Sequence, residues 1–108
     1  MLNLIDLNKY GQIFVTPSYD FHNDHRESYK IIESIFKEKK DSKAEIYIYE
    51  STTALKNPSI YLNIESSYKN KIDAMKCFKS QLQMMDYIHF LKIKTIHYNY
   101  HECYEKVR

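Results

Sequence analysis

The sequence predicts an α/β fold, and three observations carry that expectation. Short β-branched runs, "QIFVT", "EIYIYE" and "SIYLNI", alternate with segments whose apolar residues recur at helical spacing. The apolar share of 44% can support a core and argues against wholesale disorder. One glycine and two prolines leave few tight turns, which disfavours a hairpin-rich all-β domain.

Taken in order, Leu2–Tyr10 reads as the end of a helix with Leu4, Ile5 and Leu7 on one side, stopped at Gly11. Gln12–Thr16 follows as a buried strand ended by Pro17. A helix is expected from Asp24 or His25 to about Lys37. Tyr29, Ile32 and Phe36 share one face, and Ile31 and Ile35 widen it. "KEKKDSK" reads as a solvated loop. Glu45–Glu50 and Ser59–Ile64 are the next strands, separated by a polar loop containing Pro58. Ser66 or Ser67 can cap the following helix, in which Ile72, Met75, Phe78 and Leu82 recur. A last helix is expected from about Met84 to His97, presenting Ile88, Leu91 and Thr95. The tail "YNYHECYEKVR" supplies a final short strand. Helix before strand at the start is unusual for β-α-β layers, so the chain reads as the second part of a larger domain.

With 108 residues there is room for one ordinary domain. Sixteen basic and 14 acidic residues are interspersed, for a formal charge of +2, so nothing in the charge calls for a nucleic-acid partner. Two cysteines, Cys77 and Cys103, make no disulfide framework, and a reduced, cytoplasmic setting is expected. No apolar run approaches the roughly 18–20 residues that span a bilayer, and the start has no signal-peptide pattern. Eleven tyrosines with no tryptophan look like the codon bias of an AT-rich genome.

The densest chemistry is "DFHNDHRES", residues 20–28, where a strand gives way to a helix. Ligand sites in open α/β sheets collect at that end of a strand. His22 and His25, three apart, can divide two tasks, one binding a metal and the other donating to a developing oxyanion. Asp20 and Asp24 can orient the imidazoles by accepting from their second nitrogens. The plain alternative is a polar loop in which Asn23 or Asp24 caps the helix. Two histidines also fall short of the three protein ligands of a catalytic zinc.

Further stretches deepen the first reading. "IFVTPSYDFHNDHRES", "IYIYE", "LNIESSYKNKIDAMKCFKSQL" and "YHECYEKVR" together resemble the C-terminal half of the PIG-L/LmbE-like N-deacetylases. The shared pattern is Thr16-Pro17, Asp20 through His25, Lys71 through Gln81, and Glu102 with Tyr104. The resemblance implies part of a parallel, Rossmann-like sheet, three to four strands with about three helices packed against it, spanning 1–108 as one partial domain. It implies zinc-dependent hydrolysis of an N-acetyl amide on an amino-sugar conjugate. His25 becomes the zinc ligand, His22 the oxyanion donor, and Asp24 the group setting His22's orientation and charge, with Asp20 and Glu102 in support. Asn23 stands where the family usually has proline.

One departure is larger. The family's His-Pro-Asp-Asp segment, which supplies two further ligands and the general base, is absent from these residues, as is any Asp-Asp pair. Alone, the chain is expected to be a poor deacetylase that binds zinc weakly. Three outcomes are open: a fragment of a longer enzyme, one half of a two-chain enzyme, or a non-catalytic binding or structural module that self-associates. Of the other candidates, His97 and His101 would share a face only if the last helix continued, and His89 stands alone. Ser80 and Gln81 read as helix-end polar groups and Cys77 as an inert thiol in an apolar helix. Tyr47 and Tyr49 read as structural residues of a strand covered on both faces. The loop "STTALKNPS" is a possible substrate contact.

Overall fold

Four strands and four helices follow one another largely where the periodicities place them. In the computed structural model, which describes residues 9–108, they are β1 (Gln12–Val15), α1 (Asn23–Glu38), β2 (Glu45–Tyr49), β3 (Ile60–Asn63), α2 (Tyr68–Met75), α3 (Lys79–Met84), α4 (Tyr87–His97) and β4 (His101–Lys106). The helix end expected over Leu2–Tyr10 lies outside the described residues, apart from Lys9 and Tyr10. Gly11 keeps an ordinary backbone, and its carbonyl accepts the Glu45 N–H at 2.9 Å.

The strands form a sheet in the order β1-β2-β4-β3. β1 is parallel to β2, with Ile13 opposite Ile46 and Val15 opposite Ile48. β4 is antiparallel to β2, with Tyr47 opposite Lys106 and Tyr49 opposite Tyr104. The sheet is therefore mixed, not the parallel one expected. Side-chain alternation marks the faces of a strand but is the same in either direction, so it cannot give polarity. The antiparallel register brings Lys106 to Glu45 as an ion pair.

The described residues divide into two compact units. The first holds residues up to Ile60 together with Cys103–Arg108. Its core joins Ile35 and Phe36 of α1 to Val15, Ile46 and Ile48 of the sheet, with Ala44, Leu55 and Cys103. Ile35 is wholly enclosed, and trimming it to Ala would cost about 2–5 kcal/mol. Tyr29 and Ile32 complete the inward stripe. Ile31 stands 39% exposed on the flank, so the stripe is narrower than expected. On the other face Phe14 stacks on Tyr47 at 5.4 Å and meets Tyr104 edge-on at 5.6 Å, while remaining 50% exposed. That strand is thus fully covered on one face only.

The second unit, Tyr61–Glu102, carries α2, α3 and α4. One helix through Ile72, Met75, Phe78 and Leu82 was expected, and the structure breaks it. Cys77 and Phe78 donate back only three residues, to Ala74 and Met75, which tightens and ends α2. Of those four apolar residues only Ile72 is fully buried, and packing of one residue does not sustain a longer helix. No serine side chain caps α2; a 3₁₀ turn over Glu65–Ser67 leads into it instead. α4 starts at Tyr87 because Asp86 Oδ1 accepts the His89 N–H at 3.0 Å. It buries Leu91 and Thr95. At its end the Tyr100 N–H reaches Thr95 O and the Asn99 N–H reaches Ile96 O, the pairing of a Schellman turn. Asn99 and Tyr100 hold φ of 51° and 60° to make it. No helix among the described residues is long and apolar enough to cross a membrane.

Candidate functional site

Pro17 is buried at the end of β1, and the Asp20 N–H returns to its carbonyl at 3.1 Å. This turn points the Asp20 side chain inward, where it is 0% exposed. Its Oδ1 accepts the His22 N–H at 2.9 Å and meets His25 Nδ1 at 3.0 Å. Its Oδ2 is buried, with no hydrogen-bond partner among the described residues. A carboxylate oxygen can only accept, so His25 must carry its proton on Nδ1. The lone pair of His25 is then on Nε2.

His22 is held in the opposite sense. It is the N-cap of α1, and its Nδ1 accepts the Asp24 N–H at 3.1 Å. An amide can only donate, so neutral His22 carries its proton on Nε2. The cap was expected from Asn23 or Asp24; an imidazole nitrogen takes that role one position earlier. Asp24 contacts His22 through its backbone amide, while its side chain is exposed in the first turn, where a negative charge suits the helix dipole. The two imidazoles stack with centroids 4.8 Å apart and planes 30° from parallel. Two neighbouring rings thus present unlike nitrogens, one a lone pair and the other an N–H.

Several further residues fix this arrangement. Arg26 donates to the carbonyls of Asp20 and Phe21 at 2.8 and 2.7 Å and reaches Asn23 Oδ1 at 3.3 Å, closing the loop on itself. Thr16 Oγ1 donates to the His25 carbonyl at 2.9 Å. The loop "STTALKNPS" lies alongside: Thr53 Oγ1 accepts the Phe21 N–H at 2.8 Å, and Tyr19 Oη accepts the Lys56 N–H at 2.9 Å. Phe21 is left 87% exposed next to His22. Arg26 was visible inside "DFHNDHRES", but an arginine in a polar loop gives no sign that it binds backbone carbonyls. Tyr19 directly precedes Asp20 and Thr53 lies in the "STTALKNPS" loop, but their pairing partners, 37 and 32 residues away, could not be read from spacing.

Other predicted residues have separate fates. Glu102, in the second unit, pairs with Lys71 at 2.9 Å. His101 begins β4 and donates Nδ1–H to the Asn99 carbonyl, so it does not share a helix face with His97. His89 is exposed, and Ser80 and Gln81 lie exposed on α3. Cys77 sits exposed in the break between α2 and α3 and not inside an apolar helix, and among the described residues neither cysteine is in a disulfide. A cleft of about 320 Å3 lies along the C-terminal half of α1, lined by Ile32, Phe36, Ile46 and Arg108. Tyr29 at its edge has a raised pKa, first from burial and then from Glu33 and Glu105. None of the predicted site residues lines it.

His25 has the donor type and tautomer of one zinc ligand, with Asp20 as the outer-shell carboxylate such ligands use. Among the described residues no three His, Cys, Asp or Glu groups gather to complete a metal site. No protein-family model, curated protein or solved structure matches the chain.

Proposed function

We propose that this chain carries the histidine half of a PIG-L/LmbE-like amide-hydrolase site, in part of a Rossmann-like domain. The observation that supports it is the opposed tautomers: Asp20 leaves His25 a lone pair on Nε2, and the Asp24 N–H leaves His22 a hydrogen on Nε2. His22 donates that hydrogen to the carbonyl oxygen of an N-acetyl group on an amino-sugar conjugate as negative charge develops there. His25 is one ligand of the metal. Zinc, when bound, supplies the activated water that attacks the amide. The remaining ligands and the general base come from a His-Pro-Asp-Asp segment outside these 108 residues, on the same polypeptide or on a second chain.

Reconstitution tests this. The chain is co-expressed with the His-Pro-Asp-Asp polypeptide encoded beside it, and zinc content and acetate release from N-acetylglucosamine conjugates are measured. One equivalent of zinc and measurable turnover are expected, with zinc lost in His25→Ala. No gain of zinc or turnover on co-expression, or turnover that survives His25→Ala, refutes the proposal.

A further inference from the structure

We propose that the cleft along α1 binds a small amphipathic carboxylate with an unbranched alkyl body, a medium-chain fatty acid. Its volume of about 320 Å3 falls within the range of small-molecule sites, about 300–1,000 Å3. The floor is apolar: Phe36 and Ile46 are buried beneath it, and Ile32 and Val107 flank them. The lining recurs on successive turns of α1, from Tyr29 through Ile32 to Phe36 and Lys37. Eight residues separate Tyr29 from Lys37, about 12 Å of helix. That volume spread over that length makes a narrow groove, which suits an extended chain better than fused rings.

The charges give the ligand its class and its direction. Arg108 lies over the Phe36 ring, its guanidinium carbon 4.0 Å from the centroid. Its Nη2 donates to the Lys40 and Ser42 carbonyls at 3.3 and 2.9 Å, so the group is held in place by neutral acceptors. Among the described residues no side-chain carboxylate pairs with it, and its charge is left unmatched at the wall of an apolar cleft. Lys40, exposed and lining the same end, also pairs with no carboxylate among the described residues. The carbonyl end of a helix repels an anion, but here Arg108 covers the carbonyls just past α1. Lys37 and Glu33 neutralise each other at 3.1 Å. At the other end Tyr29 feels Glu33 and Glu105, so that end is acidic. A carboxylate therefore sits at Lys40 and Arg108, where a planar guanidinium matches it, and its alkyl chain runs over Phe36 and Ile46 toward Tyr29. The inference does not depend on the proposed hydrolase site, none of whose residues lines this cleft.

The test is an NMR titration of the ¹⁵N-labelled full chain with octanoate and, separately, with octan-1-ol. Saturable shifts are expected with octanoate at residues 29–40, Ile46 and Val107, and octan-1-ol should bind at least about tenfold more weakly for want of the charge. Lys40→Gln and Arg108→Gln should each weaken octanoate about tenfold, the loss of one charge-assisted hydrogen bond. Arg108→Gln also gives up two carbonyl contacts, so Lys40→Gln, at an exposed position, reads the charge without disturbing the fold. Val107→Asp, 38% exposed at the groove, should weaken octanoate by a similar factor through like charge. Absence of saturable binding at millimolar octanoate overturns the inference, as do shifts confined to other residues. Equal affinity for octanoate and octan-1-ol, or binding indifferent to Lys40→Gln, overturns it as well. So does a dimer in light scattering that Val107→Asp dissolves, which would give the cleft to a second copy.

Discussion

Replacing Asp20 by alanine should release His25 from its tautomer while leaving His22 in its own. Asp20 Oδ1 accepts two hydrogen bonds, from the His22 N–H at 2.9 Å and His25 Nδ1–H at 3.0 Å, and the Asp20 side chain itself is closed to solvent. Charge-assisted bonds contribute about 1.5–3 kcal/mol each, so the pair is worth roughly 3–6 kcal/mol. Against this, the partnerless Oδ2 carries a desolvation cost of about 1–3 kcal/mol that the mutation also removes. The net loss is about 2–3 kcal/mol, a shift of roughly 1–2 M in the urea midpoint. The sharper assay is long-range ¹H–¹⁵N NMR on labelled histidine, which distinguishes the protonated ring nitrogen. Wild type should show His25 protonated at Nδ1 and His22 at Nε2. In Asp20→Ala the His25 pattern should become that of a free imidazole, and His22 should keep its pattern through the Asp24 amide. Two identical tautomers in wild type, or a His25 pattern indifferent to Asp20, would refute the reasoning.

Other expectations follow from the same geometry. His22→Ala should destabilise α1 by about 1 kcal/mol through loss of its cap, whereas His22→Asn should retain the cap and most of that stability. In the hydrolase proposed above, His22→Asp should keep a cap acceptor yet lower kcat by about 10²–10³, because a carboxylate cannot donate to the oxyanion. Asn99→Ala should cost about 1 kcal/mol in thermal or urea unfolding, since alanine resists the left-handed backbone more than asparagine does. Glu45 is lowered by its hydrogen bond and charge pairing with Lys106, so its contribution is present above the ordinary carboxylate value and lost as pH falls through the lowered one. Lys106→Met should therefore flatten the acid limb of the stability profile. Tyr29 is raised, first by burial and then by Glu33 and Glu105, so its contribution is present below its ordinary value of 10.0 and lost as pH rises through the raised one. Tyr29→Phe should make the alkaline limb shallower, as read from unfolding midpoints across that range.

The elements were legible because each leaves a period in the sequence: Ile46 and Ile48 alternate with tyrosines, and Tyr29, Ile32 and Phe36 recur at helical spacing. What periodicity does not encode is direction, so the antiparallel β4 could not be read from "HECYEK". Nor does it encode whether an apolar residue finds a partner. Phe78 completed the helical pattern and still lies 58% exposed, outside any helix. At the candidate site the residue types were legible and their bonding was not. Asp24 looked like an acceptor for a histidine, yet its contact runs from the backbone amide, because His22 occupies the N-cap and turns its ring toward the first free N–H. The pairing of Glu102 with Lys71 was not legible either, because it joins residues 31 apart in sequence.

The two histidines need not compete for one task, and the way α1 begins explains why. A helix start offers free N–H groups, and the ring that takes one of them gives up its Nδ1 lone pair. That fixes the hydrogen of His22 on the outer nitrogen. Three residues later the acceptor that His25 reaches is the buried carboxylate of Asp20, which fixes its hydrogen on the inner nitrogen. The same four-residue segment thus produces a donor and an acceptor from identical side chains, before any ligand arrives. Exchanging the roles would require two bonds to break together: the Asp24 amide would lose its acceptor and Asp20 would lose one of its donors. His22→Asp and His25→Ala should accordingly differ in kind. On the proposed hydrolase reading the first should retain metal and lose rate, and the second should lose metal; if both variants release zinc equally, the division of roles between the rings is wrong.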